Sequence, residues 1–256
     1  MTILKRIYNN FKVHGFKKTL RDKSRIYFKN FFLNISKNRK IYFPDQKRFK
    51  KIKIDTTNYY SEMCDLSLKY DTDKSPYNQK SLRHAYTGVY HLLLNRVKNQ
   101  NLNICELGIL KNESIKLLRD YFPNATIFGF DNEINLIQKA KTDNLEKTIY
   151  NLINVKEDLN LINVFNKLDK QFDIIIDDST HVFDDQIRII KCLHKFMKPG
   201  GTMFIEDIYQ EYKEEDYFLS LKNFISHFKE IYFVETEHKN NFSPLWKNNK
   251  ILILEK

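Results

Sequence analysis

Two short runs carry most of the chemistry in this chain. The first is Asp177-Asp178-Ser179-Thr180-His181; the second, Glu206-Asp207, closes the run Pro199-Gly200-Gly201-Thr202-Met203-Phe204-Ile205. Each follows an apolar stretch that reads as a strand, Phe172 to Ile176 in one case and Thr202 to Ile205 in the other. Neighbouring parallel strands ending there would bring Asp178, Glu206 and Asp207 to one rim of a sheet, with His181 beside them. Such a set is an oxygen-rich cage for a hard divalent cation next to a titratable base. The plainer alternatives are that Glu206-Asp207 caps the following helix and that His181 is a capping or core residue. Asp177 is left out of the set, because it can equally face a cofactor or bond to backbone.

For that rim to exist the chain must build a parallel sheet. Leu82, Ala85, Val89, Leu92, Leu93 and Val97 recur near helical spacing. A short strand, Leu102 to Leu107, then ends at Gly108, and a helix from Ser114 to Phe122 is stopped by Pro123. Ala125 to Phe130 reads as a strand ending at Asp131, 133–142 as a helix, Thr148 to Val155 as a strand and 158–168 as a helix. The strand before Asp177, a helix over 183–197 and the strand before Glu206 complete the alternation. Strands and helices in this order mean βαβ units with right-handed crossovers. After a helix near 214–228, Ile231 to Val234 and Lys250 to Leu254 follow without a helix between them, so an antiparallel hairpin is expected to close the sheet.

The chain has 256 residues and a formal charge of +11, with 20 Phe and 15 Tyr to supply a core. The charge is localised: residues 1–53 hold 17 Lys/Arg against 2 Asp/Glu, and the remainder is mildly acidic. No nucleic-acid motif accompanies the basic segment, so no nucleic-acid partner is expected. Its apolar residues Ile7, Phe11, Phe16 and Leu20 permit short amphipathic helices. Four readings stay open: a solvated helical appendage, peripheral association with an anionic membrane, a dock for phosphorylated or acidic substrates, and homo-oligomer contacts. Three cysteines with no C-x-x-C pair fit a reducing compartment. No apolar stretch approaches the roughly 18 residues of a membrane span, and residues 1–30 lack a signal peptide's apolar middle. A soluble, cytoplasmic protein is expected, with the inner face of the membrane as a second address.

Beyond the carboxyl ends of such a sheet lies the usual ligand crevice. Glu106-Leu107-Gly108 ends one strand, and Asp131 ends the next, 23 residues after the glycine. A carboxylate there suits the two hydroxyls of a ribose, Gly108 allows close backbone approach, and the helix N-terminus at Ser114 can receive a carboxylate. The G-x-G-x-x-G of a dinucleotide site is absent, which disfavours NAD.

At Thr72-Asp73-Lys74, His84-Ala85-Tyr86-Thr87, Glu106-Leu107-Gly108, Ser114, Asp131, Phe172 to His181 and Pro199 to Asp207, the chain resembles class I S-adenosylmethionine (SAM)-dependent methyltransferases. More narrowly, it resembles the metal-dependent sugar O-methyltransferases typified by the mycinamicin and macrocin enzymes. The resemblance covers roughly residues 70–256. It implies an α/β, Rossmann-like, doubly wound, mostly parallel seven-stranded sheet with the C-terminal hairpin. Residues 1–69 would form a basic, mainly helical arm and 70–256 the methyltransferase domain. It further implies Asp178, Glu206 and Asp207 as Mg²⁺ ligands, His181 as catalytic base, and Glu106, Gly108, Ser114, Asp131 and Asp158 around SAM. Lys74, His84 and Tyr86 are the substrate-facing candidates, although His84 and Tyr86 can equally pack under the cofactor and Thr72-Asp73-Lys74 can be an ordinary turn or part of a lid. One departure stands out: Asn112 and Glu113 replace the glycine pair usual in that family, and Asn tolerates the left-handed backbone such a turn needs. The expected acceptor is a sugar or nucleotide sugar, as in a bacterial surface polysaccharide or its precursor. The alternatives are a catechol-like hydroxyl and a non-catalytic scaffold with a membrane- or polyanion-binding arm.

Overall fold

The computed structural model describes residues 49–78, 82–243 and 247–256. The basic segment 1–53, expected to form short helices, lies outside the described residues up to residue 48, and residues 49–53 belong to a strand instead. The sheet-bearing unit runs Asp45–Lys256, apart from a unit Met1–Pro44. Residues 49–69, expected as part of the arm, therefore belong to the sheet-bearing unit.

Eight strands form one sheet in the order β1-β7-β8-β6-β5-β2-β3-β4. They are β1 (Phe49–Asp55), β2 (Asn103–Leu107), β3 (Thr126–Asp131), β4 (Thr148–Leu152), β5 (Phe172–Asp177), β6 (Met197–Ile205), β7 (Glu230–Glu237) and β8 (Lys250–Glu255). All neighbours pair in parallel except β8, which is antiparallel to both β6 and β7. The alternation and the closing antiparallel pair are as expected, but the strand count is eight and not seven. The eighth is β1, which reads as basic because Lys50, Lys51 and Lys53 face water on an edge strand while Phe49 and Ile54 pack inward. Lysines on an edge are a common guard against edge-to-edge pairing.

Among the described residues seven α-helices flank the sheet: α1 (Glu62–Tyr70), α2 (Tyr86–Leu94), α3 (Glu113–Tyr121), α4 (Ile134–Thr142), α5 (Asp158–Leu168), α6 (Phe183–Leu193) and α7 (Glu214–Leu221). Central strands are buried on both sides, so Ile174, Ile175 and Ile176 of β5 form an unbroken apolar run. Successive residues then serve opposite layers. Ile174 and Ile176 join Val89, Ile115, Tyr121 and Ile137 from α2, α3 and α4; Ile175 joins Phe165, Ile189, Leu193 and Phe218 from α5, α6 and α7. All three cysteines are buried free thiols, Cys105 and Cys192 within one of these layers. Among the described residues no helix is long and apolar enough to cross a membrane.

The chain runs outward from β2 to β3 to β4, then returns to place β5 beside β2. The order reverses between β2 and β5, and that is where a crevice opens beyond the carboxyl ends. Gly108 sits at this point with φ +86°, and a Cβ on it would lie 2.2 Å from the Asp178 carbonyl oxygen. Glycine is therefore required by the contact between the two strand ends, beyond any need of a ligand.

Candidate active site

A cavity of about 770 Å³ lies over this switch point. Six of the residues singled out from sequence line it: Gly108, Ser114 and Asp131 at one end, Asp178, His181 and Asp207 at the other. Beneath them is a buried polar layer of Lys74, His84, Tyr86, Glu106 and Glu206. Asp158 belongs to neither. It opens α5, outside the cavity, and its carboxylate pairs with Arg188 Nε at 2.8 Å. The wall expected from Asp158 is supplied instead by Asn154, Val155 and Lys156 just beyond β4.

At the first end, Asp131 terminates β3 and accepts the amides of Ile109 and Leu110 on Oδ2 (3.1 and 3.2 Å) and of Glu133 on Oδ1 (3.1 Å). One acceptor site on Oδ1 remains for a hydroxyl. Asn112 is left-handed (φ 67°) and begins α3, so asparagine does take the turn where glycine is usual. Its Nδ2 donates to Asp143 Oδ2 (2.9 Å) and Tyr150 OH (2.8 Å), which pins the turn to β4. Ser114 Oγ donates to Glu106 Oε2 at 2.7 Å. Glu106 is fully buried, and that burial pushes its carboxyl up to about 7 against the pull of Lys74.

At the second end, β5 and β6 stop side by side, and the amide of Glu206 bonds to the Asp177 carbonyl at 2.9 Å. Each strand then turns through a non-glycine residue in left-handed geometry, His181 (φ 55°) and Asp207 (φ 56°). Such backbones cost of order 1 kcal/mol or more and concentrate at working sites. Asp178, His181 and Asp207 each offer a ligand atom, all within 4.8 Å of one another. His181 Nδ1 is buried without a hydrogen-bond partner, 3.6 Å from Asp207 Oδ2, and Nε2 lies 3.9 Å from Asp178 Oδ1. Two carboxylates fit a divalent cation, and the orphaned imidazole nitrogen beside them leaves a base next to it. Asp177 points elsewhere: its Oδ1 accepts Ser179 Oγ at 2.5 Å, and burial raises its carboxyl to about 6.

Glu206 differs from its expected place among the ligands. Lys74 Nζ lies 2.5 Å from its Oε2, and Tyr90 donates to its Oε1. The same ammonium lies 2.5 Å from Asp178 Oδ2 and 3.3 Å from Glu106 Oε1. Successive turns of α2 thus serve successive carboxylates, since Tyr86 OH lies 2.6 Å from Asp207 Oδ1 as Tyr90 meets Glu206. His84 stacks on Tyr86 with centroids 4.8 Å apart and faces Asn249 Oδ1 at 3.0 Å. Lys74, His84 and Tyr86 therefore hold the carboxylates from below and do not line the cavity. Tyr90 was missed by sequence reasoning; its signal is the spacing of four from Tyr86 on one helix face.

A family model described as a methyltransferase domain matches residues 98–249. Among curated proteins, the chain is similar to 8-demethyl-8-(2-methoxy-alpha-L-rhamnosyl)-tetracenomycin-C 3'-O-methyltransferase of Streptomyces olivaceus, 31% identical over 138 residues, covering 51% of this chain and 34% of the relative. It is also similar to mycinamicin VI 2''-O-methyltransferase of Micromonospora griseorubida, 24% identical over 158 residues, covering 59% of this chain and 37% of the relative. The matches thus span about a third of the length of these two relatives. Among solved structures, MycE methyltransferase of the mycinamycin pathway, in complex with Mg and SAH, superposes with a TM-score of 0.58 at 21% identity. That likeness covers 77% of this chain and 54% of MycE and shows the shared fold.

Proposed function

This chain belongs to the methyltransferase domain family, and we propose that it transfers the methyl group of SAM to a sugar hydroxyl with help from a divalent cation. One observation carries the reading: a single cavity joins the ribose-type carboxylate Asp131 to the cluster Asp178, His181 and Asp207. Both relatives are named as O-methyltransferases, and the rhamnosyl group in the first name supports a sugar acceptor. A surface polysaccharide or its nucleotide-linked precursor is the finer reading, and it rests on the basic segment, whose charge would suit a diphosphate.

In this reading Asp131 binds the ribose, and Gly108 and Ser114 shape the pocket for the methionine part. Glu106 orients Ser114 through their 2.7 Å bond. Asp178 and Asp207 would hold the cation, which when bound would supply Lewis-acid stabilisation to an acceptor hydroxyl. His181, beside both carboxylates, takes the proton from that hydroxyl; general-base help of this kind is worth about 10²–10⁴-fold. Alignment of donor and acceptor in the shared cavity supplies the rest.

Calorimetric titration of S-adenosylhomocysteine (SAH) tests the reading, followed by turnover of nucleotide sugars and catechols with Mg²⁺ or EDTA. Micromolar binding and EDTA-sensitive sugar methylation are expected. A folded protein that binds no SAH, or that methylates only catechols, would sink it. His181→Ala should keep SAH affinity and lose turnover by about 10²-fold or more; unchanged turnover removes the base assignment.

A further inference from the structure

We propose that Lys74 is a resident counter-cation of this site, its ammonium competing with a divalent ion for Asp178 and Glu206. The proposal rests on the methyltransferase reading for the ion's purpose, but not for its geometry. Lys74 is 5% exposed and its ammonium sits among three acidic side chains, 2.5 Å from Asp178, 2.5 Å from Glu206 and 3.3 Å from Glu106.

The backbone fixes this placement. The Lys74 carbonyl accepts the first amides of α2, from Tyr86 at 3.0 Å and Thr87 at 3.1 Å. The side chain therefore enters from a pinned loop. A long side chain held at its base and paired at its tip is a built contact.

The consequence concerns the ion. Glu206 Oε2 meets Lys74 and Oε1 accepts from Tyr90, and Asp178 meets Lys74 on Oδ2 while Oδ1 faces His181. A divalent ion at Glu206 Oε2 or Asp178 Oδ2 would sit against an ammonium already in contact, and the like charges repel at that range. Lys74 thus confines the ion to the cavity side, at Asp178 and Asp207. Without Lys74, Glu106, Asp178 and Glu206 would form an uncompensated acidic pocket of the kind a hard cation fills. Lys74 also touches both ends of the site, since Glu106 supports Ser114 at the cofactor end.

The test is Mn²⁺ titration by electron paramagnetic resonance on the whole chain, as wild type, Lys74→Met, Glu206→Gln and the double variant. Lys74→Met should bind Mn²⁺ about tenfold tighter, because a positive charge in contact with Asp178 and Glu206 is gone. Glu206→Gln alone should leave the Mn²⁺ Kd within about threefold, while in the Lys74→Met background it should cancel the gain. Failure of Lys74→Met to tighten binding overturns the proposal. So does a larger loss in Glu206→Gln alone, an arm that stands even if Lys74→Met does not fold. SAH titration of the same samples separates the two readings: absent SAH binding with the Mn²⁺ pattern intact strikes only the methyltransferase function.

Discussion

On β1, Lys50 and Lys53 lie 2.6 Å from Glu230 and 2.5 Å from Glu237 of β7, with both lysine side chains about half exposed. Under the active-site rim, Lys74 lies at the same 2.5 Å from Asp178 and Glu206, almost wholly buried. Contact distance does not separate the two regions; solvent does. On β1 water and salt screen each pair and either partner can be lost to solvent without penalty. Beneath the rim, removing one charge strands the others in a low-dielectric layer. The same two residue types thus decorate one region and organise the other.

The comparison predicts a steep order of effects. Lys74→Met, measured by urea unfolding without metal, should cost about 3–5 kcal/mol, the usual result of breaking a buried ion pair. A cost below about 1 kcal/mol would mean that water already screens the cluster, and the contrast between the regions would fail. Tyr90→Phe comes next. It removes the hydroxyl that donates to Glu206 and leaves a buried carboxylate oxygen without that donor. The expected loss is about 1–3 kcal/mol, with no change in the apolar packing of the ring on Phe204.

The same contrast explains what the sequence disclosed. Strand ends are local, so Gly108, Asp131, Asp178 and Asp207 could be placed at one rim from hydrophobic runs and their terminal residues alone. The partners of Glu206 are not local: Lys74 and Tyr90 stand 132 and 116 positions away, and no spacing rule links them. Glu206 was therefore expected to face the ion with its neighbour Asp207, whereas the two carboxylates turn to different partners. Asp158 is the opposite case. As the first residue of α5 it is near the crevice in sequence, but Arg188 on α6 holds it outside. β1 escaped because an edge strand buries so few side chains that its lysines outweigh its two inward residues in any pattern.

Glu214 lies between the extremes and sharpens the scale. Burial raises its carboxyl, but Lys250 at 2.8 Å, the start of α7 and Lys51 bring it down to about 2. A depressed carboxyl contributes stability that is complete above its unfolded value near 4.5 and is lost as pH falls toward 2. Glu214→Gln should cost about 1 kcal/mol at pH 7 after allowance for solvent screening. The gap between wild type and variant should close between about pH 4.5 and pH 2, in thermal melts run across that range. A gap independent of pH would assign the effect to packing of the side chain and not to its charge.

Lys53→Ala is the smallest effect and the sharpest check on the lower end. Its pair with Glu237 is as short as those of Lys74, so an argument from distance alone would rank it beside them. Solvation reverses that ranking. The ammonium keeps most of its water, the side chain gives up rotamer freedom to hold the contact, and Glu237 remains solvated when its partner leaves. Tm should therefore move by no more than about 1 °C, and 0.5 M salt should erase even that. A larger shift, insensitive to salt, would show that the lysines of β1 fasten the edge strand to β7. The two regions would then differ in position only, and burial would lose its place as the explanation for Lys74.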